Sequence, residues 1–349
     1  MKILTAMSGG VDSSVSTRLL LEAGHTVSGV TFVSDDSAES AAAAKDAADT
    51  ARTLGIPHTV LDISEEFRSS VKEYFVKTYE EGKTPNPCVV CNRDIKFGLL
   101  MDFAEKAGFD AVATGHYAKT VSTGGRCRLY RAADERKDQS YMLTLVPEAR
   151  LARTLFPLGC YTKDEIRALA EKWGIPTAAK KDSQDICFIP DGDYVRFITG
   201  YRGREIESGD YLSTDGRVLG RHSGQMCYTI GQRKGLGIAL GKHMFVTEKN
   251  ADTNTVVLGD EADLWKRSLK VGKLNLIGCD SLSDVSREGR FTVKIRYAHK
   301  GASATVTQTE DGASVTFDEP QRAASPGQFA VLYTEDAHGI RAVGGGEIE

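Results

Sequence analysis

Two sets of residues in this chain have types and spacings suited to chemistry: a glycine loop near the start and a group of cysteines. Ser8-Gly9-Gly10-Val11-Asp12-Ser13-Ser14 follows a short apolar run and opens an amphipathic segment. Glycines let the backbone turn tightly and bring N–H groups to one point, and a helix N-terminus adds partial positive charge. The loop therefore reads as a phosphate site, with Ser8, Ser13 and Ser14 adding hydroxyl donors. Asp12 would repel a bare phosphate, so it either works with Mg2+ or caps the helix. The Walker lysine is absent, which excludes a P-loop NTPase. An ordinary glycine turn is the plain alternative.

The cysteines make a second constellation. Thr84-Pro85-Asn86-Pro87-Cys88-Val89-Val90-Cys91-Asn92 sets a CxxC in a loop stiffened by two prolines. Asp182-Ser183-Gln184-Asp185-Ile186-Cys187-Phe188-Ile189 carries a further cysteine far along the chain. A CxxC can be a redox pair, half of a zinc site, or a nucleophile with a neighbour. No second CxxC exists, so a four-cysteine zinc site is left out. A helix over Ile95–Lys106 would start just after Cys91. Its N-terminus, with Arg93 and Lys96 alongside, would favour a thiolate there. Cys127, Cys160, Cys227 and Cys279 read as buried filler.

The elements that must position these residues alternate. Strands at Lys2–Ala6, His25–Val33, His58–Ile63 and Phe109–Ala113 are interleaved with helices at Val11–Ala23, Ser37–Leu54 and Ser64–Glu81. That pattern predicts an α/β fold with a doubly wound parallel sheet. Ligands on such sheets sit at the carboxyl ends of the strands, where the glycine loop and Thr114-Gly115-His116 both fall. A helix over Thr162–Trp173 opens with a capping box, Thr162 and Glu165. After about Arg202 the texture changes to short strands, at Tyr211-Leu212, Gly231–Gly235, Phe245-Val246 and Thr255–Leu258. Alternating strands at Phe291–Tyr297, Ala302–Thr307, Ala313–Phe317 and Gln328–Tyr333 then predict a small β-barrel or sandwich. The expected division is 1–200, 201–265 and 266–349.

Bulk properties fit this. A chain of 349 residues with 41% hydrophobic content holds two or three domains with cores of their own. The 7 cysteines are an odd number over a long chain, unlike a secreted disulfide framework, and a reducing cytoplasm is the expected setting. No membrane span or signal segment is expected. The net charge of -4 argues against indiscriminate nucleic-acid binding. Arg196, Arg202, Arg204, Arg217, Arg221, Arg233 and Lys234 nevertheless enrich the middle in base, as a nucleic-acid-facing strip or as scattered solubilising charge.

The glycine loop resembles that of N-type ATP pyrophosphatases, which cleave ATP to AMP and pyrophosphate and activate a carbonyl-type oxygen by adenylation. The strings SGGVDSS, TPNPCVVCNRDIKF, ATGHYA, ADERKDQSYML, FPLG, KDSQDICFI, HSGQMCYTIGQRKGLGI, KIRYAHKG, ASPGQFAVLY and GGGEI run in order through the chain. Together they resemble the bacterial tRNA-specific 2-thiouridylases. The resemblance implies an adenine nucleotide alpha hydrolase-like domain with a PP-loop, a small central domain that contacts tRNA, and a C-terminal β-barrel. It implies that ATP and Mg2+ serve to adenylate the wobble uridine of tRNA. Cys187 would carry a persulfide from a cysteine desulfurase or sulfur-relay protein. Cys91 would be the nucleophile that frees the sulfur and leaves a disulfide with Cys187.

By the same resemblance, Ala6, Met7, Ser8, Gly9, Gly10, Val11, Asp12, Ser13, Phe32 and Gly115 would border the nucleotide. Asn86, Pro87 and Cys88 would meet the target base. His116, Lys137, Asp138, Gln139, Arg296, Tyr297 and Gln328 would meet the tRNA. The residues alone allow blander readings: a satisfied loop histidine at 116, a solvated turn at 137–139, an ordinary strand pair at 296–297. Some family members carry an acidic residue in place of Cys88. Cys88, Cys91 and Cys187 could instead hold an iron–sulfur cluster with one open iron. Two other readings stand beside the thiolase: another adenylating enzyme of the PP-loop class, and a tRNA-binding adaptor with a relic loop.

Overall fold

The structure is a computed structural model that describes residues 1–178, 180, 186–239 and 241–349. Five parallel strands form the first sheet, in the order His58–Asp62, Thr26–Val33, Lys2–Ala6, Ala111–Ala113 and Thr154–Leu155. Successive side chains of a strand face opposite layers. Ile3 and Val27 accordingly pack with Leu20 of the Val11–Glu22 helix, on one side. Leu4, Val30 and Val112 pack with Leu100, Met101 and Ala104 on the other. Helices thus cover both faces, the doubly wound arrangement the alternation predicted. Parallel strands bring Ser8–Ser14, Phe32 and Thr114–His116 out at one carboxyl edge.

The cysteine helix differs from its sequence reading. It starts at Pro87, not at Ile95. The Asn86 side chain caps it, accepting the Val89 N–H at 3.4 Å. Proline at the first helical position after an asparagine cap is a start signal. The run continues as a π-helical stretch, Asn92–Leu99, and ends as Leu100–Lys106. Cys91 therefore lies inside the helical run rather than ahead of it. The Ser64–Glu80 run also contains a π turn, at Arg68–Lys72. Phe67 and Val71 of that run pack against Ile95.

The central sheet runs in the order Phe245–Asn250, Thr255–Gly259, Gly209–Ser213 and Val218–His222, around buried Tyr211, Val246, Val256 and Leu258. No strand forms at Gly231–Gly235: Gly231 and Gly235 have φ of 86° and 72°, a conformation that interrupts a strand. The last unit is antiparallel, in the order Trp265–Val271, Ala313–Arg322, Ala302–Gln308, Arg290–Lys294, Phe329–Asp336 and Gly339–Glu347. Val271 bridges to Ile348, so the first strand meets the chain end and the sheet closes into the expected barrel. Arg296 and Tyr297, read as strand, lie just beyond it.

One feature of the fold was not legible in the sequence. A hairpin of Ala118–Thr123 and Arg126–Arg131 leaves the first unit and joins the barrel sheet, pairing Tyr130 with Arg341 and Leu129 with Ala342. The two units then share a core of Val89, Val90, Phe97, Leu129, Tyr141, Phe329, Val331 and Tyr333. Each large apolar side chain buried there contributes about 1.5–3 kcal/mol. The inner face of the Cys88–Cys91 turn is held between the sheet domain and the barrel. Among the described residues no helix is long and apolar enough to cross a membrane.

Candidate functional site

Ala6 ends the first strand, and Met7 stays in register with the second: its N–H donates to Val30 and its carbonyl accepts the Thr31 hydroxyl at 2.7 Å. Gly9 then turns with φ of 66°. A Cβ there would come within 2.5 Å of the Ala43 carbonyl, so only glycine fits this turn. Gly10 is the N-cap of the Val11–Glu22 helix, with no side chain capping it. The leading N–H groups of a helix lack intrahelical partners, which suits an anion. Gly115 presses on the other side, where a Cβ would meet the Ser13 nitrogen at 2.9 Å. Phe32 is half-buried near the end of its strand, between the sheet core and the cluster around Cys91.

The loop side chains find partners within the protein. Ser13 and Ser14 donate to the Gly10 carbonyl at 3.1 and 2.8 Å, so their protons stabilise the loop itself. Asp12 does not cap its helix. Lys163 Nζ donates to its two oxygens at 2.7 and 2.8 Å, and the Tyr117 hydroxyl donates to Oδ1 at 2.8 Å.

Cys88, Cys91 and Cys187 lie in one electrostatic neighbourhood. The thiols of Cys88 and Cys187 both disfavour ionisation of Cys91, and Lys96 favours it. Burial against Ile63, Phe67, Val71 and Ile95 dominates and pushes the Cys91 thiol up to about 12. The expected thiolate at Cys91 is overturned by this apolar packing. Arg93 gives Cys91 little help, because its guanidinium is bidentate on Asp94 at 2.6 and 2.8 Å. Cys187 is exposed to solvent, yet surrounding protein still raises its thiol, with Lys96 opposing. All the cysteines are free thiols. Cys127 and Cys279 are buried as expected, and Cys227 is half-buried against the central core, but Cys160 is exposed and is not core filler. Residues 181–185 of the KDSQDICFI string lie outside the described residues. Among the described residues no group of three His, Cys, Asp or Glu side chains is arranged to hold a metal ion.

The other picked residues divide between the loop and the barrel junction. His116 is buried, with Nδ1 2.8 Å from the Thr114 hydroxyl oxygen and its ring 5.7 Å from that of Phe97. Burial, then the Lys96 charge, holds it well below the ordinary histidine value, so the ring is neutral. Segment 137–139 is built rather than solvated. Asp138 is buried and accepts the Ser140 hydroxyl at 2.9 Å, Gln139 Oε1 accepts the Tyr117 N–H at 3.0 Å, and Lys137 is half-buried. Burial raises the Asp138 carboxyl. Gln328 donates to the carbonyls of Thr84 and Pro85. Arg296 donates to the Arg322 carbonyl at 3.1 Å and bears electrostatically on Tyr141, which touches Asn86. Tyr297 is exposed, its ring edge-on to Tyr141 with centroids 6.1 Å apart. An exposed ring beside Lys294, whose Nζ is 5.7 Å away, suits a splayed base. The basic strip is largely compensated. Arg202 pairs with Glu73 and Glu80, Arg204 with Glu80, Arg196 with Asp191, Arg217 with Asp215 and Arg221 with Asp210.

Three family models match the chain in series: a tRNA methyl transferase HUP domain over residues 1–191, a tRNA methyl transferase PRC-barrel domain over 196–260, and an aminomethyltransferase beta-barrel domain over 266–348. A tRNA-specific 2-thiouridylase MnmA of Carboxydothermus hydrogenoformans is 44% identical, covering 100% of this chain and 97% of its own. Proteins of the same name from Lachnoclostridium phytofermentans and Clostridioides difficile are 42% and 43% identical, over 99% and 100% of this chain and 99% and 98% of theirs. The chain belongs to the tRNA-specific 2-thiouridylase family. The relatives are thiolases by name, although two of the domain descriptions speak of methyl transfer.

Within this family member, sequence reasoning missed Lys163, Lys180, Tyr141 and the weight of Lys96. Lys180 reaches the loop from outside, donating to the Gly9 carbonyl at 3.0 Å and to Asp46 at 2.8 Å. Lys163 had one available signal: it is the first residue after a capping box, where a lysine opposes the helix dipole and needs a local partner.

Proposed function

We propose that this chain is an ATP-dependent enzyme that replaces the O2 of a tRNA wobble uridine with sulfur. The observation that carries the reading is the joint environment of Cys88, Cys91 and Cys187 around Lys96, in a chain whose glycine loop has an uncapped helix N-terminus. Uridine O2 attacks the α-phosphorus of ATP; pyrophosphate leaves toward the Gly9-Gly10 turn, and Mg2+ arrives on the phosphates it neutralises. A sulfur donor protein has by then left a persulfide on Cys187. Cys91 loses its proton and attacks the inner sulfur of Cys187, forming the Cys91–Cys187 disulfide and releasing hydrosulfide. Hydrosulfide adds at C2, and AMP leaves with the former O2. A dithiol reductant supplies two electrons to restore both thiols. A cytoplasmic setting suits that last step.

Asn86, Pro87 and Cys88 stand where the base would enter, and Tyr297, Arg296 and Lys137 line the tRNA side. Flipping the base out of the anticodon stack brings C2 to the cysteines. The test is to incubate the chain with ATP, Mg2+, unmodified tRNA and a persulfide source, and to measure 2-thiouridine by mass spectrometry. Wild type should form it, and Cys91→Ser and Cys187→Ser should not. AMP formed on another acceptor without thiouridine would sink the reading. Iron co-purifying anaerobically, with activity lost in Cys88→Ser, would replace the persulfide by a cluster.

A further inference from the structure

The Val11–Glu22 and Lys163–Lys172 helices pack through Val11, Val15, Ile166 and Ala170. Lys163, Ile166 and Ala170 follow each other at spacings of three and four, so the stripe that packs also carries a lysine. The Lys163 side chain is 6% exposed and stands directly after the Thr162 cap. A cation in a first turn opposes the helix dipole, and burying one in an apolar contact adds a desolvation cost. Both penalties are offset by Asp12, in the first turn of the opposite helix, through the two contacts of 2.7 and 2.8 Å. Tyr117, two residues beyond Gly115, donates to the same carboxylate. The pair therefore joins the glycine loop to a segment more than a hundred residues away. Lys180 differs: it is half-exposed and pairs with Asp46 at the rim.

We infer that Lys163 is a positioning residue for the nucleotide: it neutralises Asp12 and, with Tyr117, holds that carboxylate against the second helix, away from the pyrophosphate. The inference rests on the proposed ATP site at the glycine loop. A loop without a Walker lysine carries an acidic residue two positions after its second glycine. Uncompensated, that charge would repel the phosphates. Lys163 supplies the missing positive charge from behind the loop, without touching the nucleotide.

Equilibrium binding of ATP to the full chain, at several Mg2+ concentrations, tests this. Lys163→Met should weaken ATP roughly tenfold or more, the scale of a lost charge-assisted hydrogen bond. Higher Mg2+ should narrow that gap, because a second cation can offset Asp12. The double change Asp12→Asn with Lys163→Met removes both charges and should recover most of the affinity. Tyr117→Phe deletes one hydroxyl and should weaken ATP about threefold, within the range of a single hydrogen bond, even if Lys163→Met fails to fold. A double variant no better than Lys163→Met overturns the inference, because Asp12 then acts on the nucleotide or its metal directly. Wild-type affinity and Mg2+ dependence in folded Lys163→Met, or in Tyr117→Phe, overturns it too. A wild-type chain that binds no ATP sinks the proposed function along with it.

Discussion

Gln328 is tied to Pro85: its side-chain amide donates to the Pro85 carbonyl at 3.0 Å and to the preceding Thr84 carbonyl at 3.1 Å. The bond crosses from the barrel to the loop that enters the cysteine helix. Neighbouring contacts run the same way. The Thr84 N–H donates to the Pro326 carbonyl at 2.8 Å, and a Cβ on Gly327 would meet the Thr84 oxygen at 2.9 Å. Tyr141 donates to the Phe329 carbonyl at 2.9 Å from beneath. The barrel therefore sets the position of Asn86, Pro87 and Cys88 before any RNA arrives.

Gln328→Glu should lower thiolation without lowering ATP affinity. The carboxylate cannot donate, and it faces two carbonyl oxygens. Loss of both bonds at a half-buried site corresponds to about 1–3 kcal/mol, or roughly a five- to hundredfold fall in turnover. Single-turnover thiolation beside ATP binding separates the two effects. Equal losses in both would place the defect in folding instead.

Cys91 should behave as a thiol, not a thiolate, at neutral pH. Its ionisation lies near 12 against an ordinary 9.0, through burial. Iodoacetamide should label Cys91 slowly at pH 7 and faster, by about tenfold per unit, as the pH rises toward 10. Lys96→Met removes a nearby charge that favours the thiolate, so labelling should slow further. The same shift affects stability. The unfolded thiol ionises first as pH passes 9, so the contribution of Cys91 is whole below that and is lost as pH rises toward 12. Cys91→Ala should flatten that alkaline loss in a thermal melt.

Much of this was readable in the sequence because its signals are local. The glycine turn, the Thr162–Glu165 capping box and the strand–helix alternation each depend on residues within a few positions. Cysteine ionisation was misread because it depends on what packs over the helix. Ile63, Phe67 and Val71 come from a separate helical run, and their effect outweighs any helix-end charge. The partner of Asp12 was not legible for the same reason: Lys163 is 151 positions away. The Ala118–Arg131 hairpin carries alternating residues, but no local signal says that its free edge will join a barrel built from the far end of the chain.

His116 should not titrate across the working range. Burial and Lys96 keep its ring neutral, with the Thr114 hydroxyl on Nδ1. Its NMR ring signals should stay fixed between about pH 5.5 and 8, where an ordinary histidine near 6.5 would move. Stability carries the opposite sign to Cys91. The unfolded imidazole takes up a proton below about 6.5 and the folded one does not, so stability falls as the pH drops through that value. His116→Gln should reduce that acid sensitivity, measured by urea melts at pH 5 and 7.5.

Gly115→Ala should weaken ATP binding more than it weakens the fold. A Cβ there would stand 2.9 Å from the Ser13 nitrogen, 3.0 Å from the Asp12 carbonyl carbon and 3.2 Å from the Ser13 Cα. These are backbone atoms of the glycine loop, so they cannot rotate out of the way. The strand end at Ala113 is fixed by pairing with Thr5 and Leu155, so the loop is the part that yields. Moving it displaces the Ser13 N–H, which lies in the first turn of the helix that the proposed ATP site uses. Overpacking of this kind costs about 1–3 kcal/mol, which appears as a roughly five- to hundredfold rise in the Kd for ATP. Isothermal titration with ATP and Mg2+ measures it, and a thermal melt of the same sample supplies the fold's share. If the melt falls and ATP affinity holds, Gly115 supports the sheet alone and the loop does not depend on it.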